Sequence, residues 1–177
     1  MGSNIYTQQK LAFSKNCLFD ALVDLLEEKD IKDISVTELT QKAGVCRSTF
    51  YRNYNEVSDI LVQFLKEWPL GFEATMTYDD YTNEGRVREY YNYLEANADL
   101  FRILVRPEYQ HLLLESMESA FYGPFRPIVE QMGFVDDYEI AGVTGTIFMV
   151  TRDWFLHDMV PPKEEMIPLS TRLIERP

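Results

Sequence analysis

Arg47, Ser48, Thr49, Tyr51, Arg52, Asn53 and Tyr54 crowd into one short segment, and Thr37 stands a little upstream. Their types suit one chemistry, contact with a nucleic-acid duplex. Arginine grips phosphate or reads a guanine edge; the hydroxyls of Ser and Thr, and the Thr methyl, suit base edges. Tyr51 and Tyr54 offer phenolic hydroxyls to phosphate oxygens. Thr37 sits at the start of a helix, whose positive end favours an anion.

Two short helices must hold these side chains in one row. Ser35 and Glu38 are spaced as a capping box and open the first, which ends at Ala43. Gly44 adopts the left-handed conformation that stops a helix. The second runs from about Arg47 to Asn53 or Tyr54. Leu39, Ala43, Val45 and Phe50 supply a small core that locks the pair into a helix-turn-helix, with the polar row outside.

Other chemistries are weaker. Cys46, at a helix start beside Arg47, has two features that lower a thiol pKa, but a tolerated small substitution is the simpler reading. Cys17 reads as core. His111 and Glu115 stand at i, i+4, yet two ligands do not make a metal site. No Ser/His/Asp or Cys/His set suggests nucleophilic catalysis and no glycine-rich loop cradles phosphate. The expectation is a non-enzyme with no cofactor and no metal.

Helical periodicity runs through the rest of the 177 residues, with no strand pattern, so the fold class is all-α. Leu18, Ala21, Leu22, Leu25 and Leu26 make an amphipathic first helix over about 14–29, with turns possible before it. Asn55 caps a fourth helix with an apolar stripe from Val57 to Trp68, which Pro69 and Gly71 kink or end. A loop is expected over 79–85. Val87, Tyr90, Tyr91 and Leu94 mark a fifth helix, and Leu100, Ile103 and Leu104 a sixth. Pro107 opens a seventh, broken near Tyr122 by Gly123, Pro124 and Pro127. The eighth starts at Asp136–Glu139, and its apolar run to Trp154 suggests burial on more than one side. Pro161 and Pro162 precede the ninth.

The bulk numbers agree with a folded domain. The chain is 46% hydrophobic and 14% aromatic, enough to bury a core. Two cysteines give no disulfide framework and suggest a reducing compartment. No signal peptide and no bilayer-length apolar run are visible, so the default is a cytoplasmic protein with no membrane partner. The formal net charge is −12. Residues 1–70 hold eight basic and ten acidic side chains, and 71–177 nine and nineteen, so the acidity sits in the second part. That argues against nonspecific coating of nucleic acid, but not against a reader with its basic residues on one face.

Ser35-Val36-Thr37, Ala43-Gly44-Val45, Arg47-Ser48-Thr49-Phe50-Tyr51 and Tyr54 together resemble the N-terminal domain of the tetracycline-repressor (TetR) family. Ser14 to Leu18 and Ala21 fit that family's first helix. The resemblance covers about the first third of the chain. Arg-Ser-Thr-Phe-Tyr followed by Val57, Asp59 and Ile60 is similar to one subgroup, some of whose members act as coactivators through a protein partner. Three positions depart from the family: Cys46 replaces a capping serine, Val57 a phosphate-facing lysine, and Asp30 a glycine.

The resemblance implies a homodimeric regulator of transcription that binds a palindromic double-stranded DNA operator. A small-molecule effector in the C-terminal domain modulates its DNA affinity. The alternative is a coregulator of the same fold acting through a protein partner. Residues 1–55 form the DNA-binding domain and 56–177 the ligand-binding and dimerisation domain. The DNA contacts are Thr37, Arg47, Ser48, Thr49, Tyr51, Arg52, Asn53 and Tyr54. Among many aromatic residues that serve as core or cavity wall, Tyr90, Tyr91, Phe101, Tyr109, Phe121, Phe125 and Phe148 are assigned to the pocket. The last two helices pack as a four-helix dimer interface, with Gly142 and Gly145 allowing close approach and Phe148 and Trp154 supplying apolar area. Arg152 and Asp153 make either a buried pair or a surface pair at that seam, the seam being favoured.

Overall fold

The computed structural model describes residues 2–75 and 82–175, the side chains of 2–11 and 73–75 excepted. Every regular element among them is helical. The chain divides into two compact units, 1–64 and 65–177. That division falls later than the 55/56 boundary drawn from the sequence, because Ile60 and Leu61 are buried and Phe64 stacks on Phe19 at 4.3 Å.

In the first unit α1 spans Gly2–Glu28, starting well before Ser14. A single 3-10 turn, Ile31–Asp33, leads to α2, Val36–Lys42, and α3, Arg47–Tyr51. The buried faces are apolar at helical spacing: Leu18, Leu22 and Leu26 of α1 meet the same core as Leu39 and Phe50. Ser35 caps α2 by accepting from the Glu38 N–H at 3.2 Å. Glu38 does not complete a capping box. Its carboxylate turns to the Lys29 ammonium, 2.6 Å away, and this pairing lowers the Glu38 pKa and raises that of Lys29. Gly44 has φ +66° with open space around its Cβ position, so backbone conformation and not crowding calls for glycine.

Helix α4, Ser58–Thr75, begins in the first unit and ends in the second. Asn55 is not its cap. The Asp59 carboxylate reaches back to accept from the N–H groups of Asn55 at 2.7 Å and Glu56 at 3.1 Å. Nor does Pro69 end the helix. Proline has no N–H to offer the carbonyl four residues back, Leu65. The Ser116 hydroxyl donates to that carbonyl at 2.6 Å and accepts from the Trp68 indole N–H. The freed acceptor is satisfied and the helix continues.

The second unit holds α5, Asn83–Ala96; α6, Ala98–Leu104; α7, Gln110–Tyr122; α8, Arg126–Gln131; α9, Asp137–Leu156; and α10, Lys163–Ile174. The expected loop over 79–85 lies partly outside the described residues; Thr82 caps α5 and residues 83–85 are helical. Pro107 lies before α7, not in its first turn. A Cβ at Gly123 would sit 2.6 Å from the Ser119 carbonyl, so the chain leaves the helix there on a residue without one. Asp136 and Glu139 form the full capping box of α9. Helix α10 packs on α5 and α9, and α7 packs on α9. One face of α9 stays open, with Ala141, Gly142, Met149 and Leu156 exposed, so the burial expected on several sides is not found.

Candidate nucleic-acid interface and effector cavity

Phe50 is fully buried between its neighbours, and this fixes which way α3 faces. Arg47, Ser48, Tyr51 and Arg52 are exposed, as is Thr37 on α2. Tyr51 is 54% exposed and the Arg47 guanidinium lies 6.0 Å from its ring centroid, a cation–π arrangement that holds both side chains outward. Tyr54 points the other way: it is only 5% exposed and packs on Phe50 at 5.7 Å. Its apolar ring completes the core, which separates it from the outer row. Asn53 donates its amide to the Thr49 carbonyl at 2.8 Å and so closes the end of α3. Cys46 is exposed at the head of α3, with Ser48 Oγ 3.1 Å and Thr49 Oγ1 3.0 Å from its sulfur. Those hydroxyls, Ser48 first, lower its pKa to about 7.

The second unit contains a cavity of about 80 Å³ with an opening to solvent. Tyr90, Tyr91, Phe121 and Phe125 line it; Phe101, Tyr109 and Phe148 do not. Those three are buried in packed core, where Phe101 stacks on Phe155 at 5.7 Å. Aromatic composition does not tell a wall from a core, and only the packing separates them. The wall also includes residues not picked out from sequence, among them Trp68, Phe72, Arg86, Met132 and Ser170. Their shared signal is an inward position on α4, α5 or α10, or at the end of α8 for Met132. Tyr90 bonds Thr151 and Tyr91 bonds Ser170, each at 2.8 Å, and burial raises the pKa of both tyrosines.

At the open face of α9, ideal Cβ positions on Gly142 and Gly145 meet nothing within 4 Å. Phe148 and Trp154 face inward instead, 7% and 3% exposed, because their side chains fill the protomer's own core. Trp154 donates to the Pro161 carbonyl at 2.7 Å. Arg152 and Asp153 pair at 2.8 Å with their side chains partly exposed.

A crystal structure of a TetR transcriptional regulator from Streptococcus agalactiae matches 98% of this chain and 99% of its own, with a TM-score of 0.67 at 18% identity. The chain has the TetR fold. A Shewanella sp. PV-4 protein assigned to the TetR family of transcription regulators gives a TM-score of 0.63 at 16% identity, over 91% of this chain and 95% of its own. No protein-family model matches the sequence, and no curated protein matches it. What these chains share with the TetR fold is therefore visible in three dimensions and faint in sequence. Among the described residues no helix is long and apolar enough to cross a membrane, and no group of three His, Cys, Asp or Glu is placed to hold a metal ion.

Proposed function

We propose that the chain is a TetR-type transcriptional regulator that binds a palindromic operator as a homodimer. The observation that carries the reading is the outward row of Arg47, Ser48, Tyr51 and Arg52 on a short helix fixed by buried Phe50. A helix of this width enters the major groove, where arginine reads bases and tyrosine and threonine bind phosphate. The open face of α9, with α10, is the dimer surface. A twofold dimer places two recognition helices about 34–36 Å apart, one DNA turn. The cavity of the second unit takes a small effector, and α4, whose Trp68 lines that cavity, links it to the reading head. Effector and DNA then shift each other's affinity by the same factor.

The engaged state of Asn53, and of Ser48 and Thr49 around Cys46, favours one second reading: a coregulator of the same fold acting through a protein partner. Random-sequence DNA selection with the purified protein, repeated across salt concentrations, separates the two. The regulator enriches a palindrome and loses affinity as salt rises, and Arg47→Ala with Tyr51→Ala abolishes the enrichment. No enriched sequence, with function unchanged in those variants, sinks the DNA reading in favour of the coregulator.

A further inference from the structure

The wall of the cavity in the second unit has its hydrogen bonds already made. Tyr90 and Thr151 satisfy each other, as do Tyr91 and Ser170, and the Thr146 hydroxyl donates to the Gly142 carbonyl at 2.9 Å. No buried side-chain nitrogen or oxygen among the described residues lacks a partner. A molecule entering there meets no orphan donor or acceptor, so its buried part must be apolar, since burying a polar group without a partner is costly.

One wall residue differs. Arg86 lines the cavity and donates to the neutral Gln131 amide oxygen at 3.1 Å. Among the described residues it has no carboxylate within salt-bridge distance, and two carboxylates close to this pair, one beside each partner, are engaged elsewhere. Glu84 pairs with Arg88 at 2.6 Å, and Glu130, beside Gln131, pairs with Arg126 at 2.9 Å. Arginine carries five N–H donors in a planar fork that fits a carboxylate through two parallel bonds. A single bond to an amide leaves most of that capacity open. Burial keeps the Tyr90 phenol neutral, so it adds no charge that would repel an anion. The chain's net charge of −12 works against anions at long range, but screening over about 8 Å at physiological salt leaves the nearby guanidinium dominant.

Size narrows the class. A closed apolar cavity of about 150 Å³ accepts a benzene ring. This one, about 80 Å³, is roughly half that, so it suits a thin chain of about three or four carbons and not a ring system. We propose that the cavity takes a short straight-chain monocarboxylate, with its alkyl body inside and its carboxylate on Arg86. This rests on reading the cavity as the effector site and names the chemistry of that effector.

The test is calorimetric titration of the full chain, without DNA, with butanoate, butanol and butylamine. Butanoate is expected to bind at least about tenfold more tightly than butanol, and butylamine more weakly than either, as charge-assisted bonds to a carboxylate imply. Arg86→Gln should bring butanoate down to the level of butanol and leave butanol unchanged, whereas Arg86→Lys should keep the preference. An arginine with only a structural role would move both ligands together. Equal binding of butanoate and butanol to the wild type, an intact preference in Arg86→Gln, or no binding by any of the three overturns the proposal. The effector reading is decided separately: unchanged affinity for the selected DNA in saturating butanoate would overturn it alone.

Discussion

Cys46 places a titrating charge at the head of the helix that faces outward. The Ser48 and Thr49 hydroxyls, both about 3 Å from its sulfur, hold its pKa near 7, below the usual thiol value of about 8.5. The folded pKa is depressed, so the thiolate stabilises the fold fully above the unfolded value, and that contribution is lost as pH falls through about 7. In the proposed DNA complex affinity would run the opposite way, because a thiolate beside phosphates repels them. Affinity for the selected palindrome should therefore fall as pH rises through 7, and Cys46→Ser, which puts a non-titrating hydroxyl at the N-cap, should flatten that dependence. Alkylation by iodoacetamide reports the thiolate directly and should be half-maximal near pH 7; a midpoint near 8.5 would show that the hydroxyls do not act on the sulfur. The sequence shows a cysteine in a capping position beside Arg47. It does not show that two hydroxyls turn toward it, since that depends on rotamers chosen in the folded helix.

Helix α4 carries the clearest contrast between what sequence suggests and what packing allows. A proline inside a helix removes one hydrogen bond and strands the carbonyl four residues back. The remedy comes from Ser116, distant in the chain, so no local pattern foretells it. Replacing Ser116 with alanine should leave both the Leu65 carbonyl and the Trp68 indole without partners. Each buried orphan costs about 1–3 kcal/mol, so urea unfolding should show a loss of about 2 kcal/mol or more. Pro69→Ala restores an N–H to Leu65, and adding it to Ser116→Ala should recover part of the loss. Strictly additive effects in that cycle would mean that the two positions do not share the carbonyl. By comparison α2 and α3 were legible at once. Ser35 caps and Gly44 turns, and both do so through backbone rules that act over a few residues. Helix α8 does not stand out in the sequence as an element of its own because Gly123, Pro124 and Pro127 punctuate its approach, although proline is well tolerated in a first turn.

In the proposed dimer, the open face of α9 is the seam between two chains. Tyr138, Gly142, Gly145, Met149 and Leu156 recur at alternating four- and three-residue steps or their sum, the spacing of a coiled-coil face. Gly142 and Gly145, assigned from the sequence to close approach, meet nothing within 4 Å in the protomer and so leave that face free for the proposed partner. The facing of Phe148 and Trp154 was not legible, because a large apolar side chain on a mostly apolar helix can face either way, and here both face inward. Gly142→Glu separates the two surfaces. A side chain there meets nothing within 4 Å in the protomer, so the isolated chain accommodates it. Glycine within an exposed helix costs about 1 kcal/mol relative to a good helix former, so the variant protomer should be as stable as the wild type or more so. In a twofold dimer the same glutamate faces its own copy across the seam, which adds bulk and like charge where close approach is required. The expected result is a monomer by light scattering, with intact helical content and an unfolding midpoint no lower than that of a wild-type sample diluted to the monomer. Binding to a palindromic site should drop toward that of a single half-site. A Gly142→Glu protein that remains dimeric would move the interface off α9.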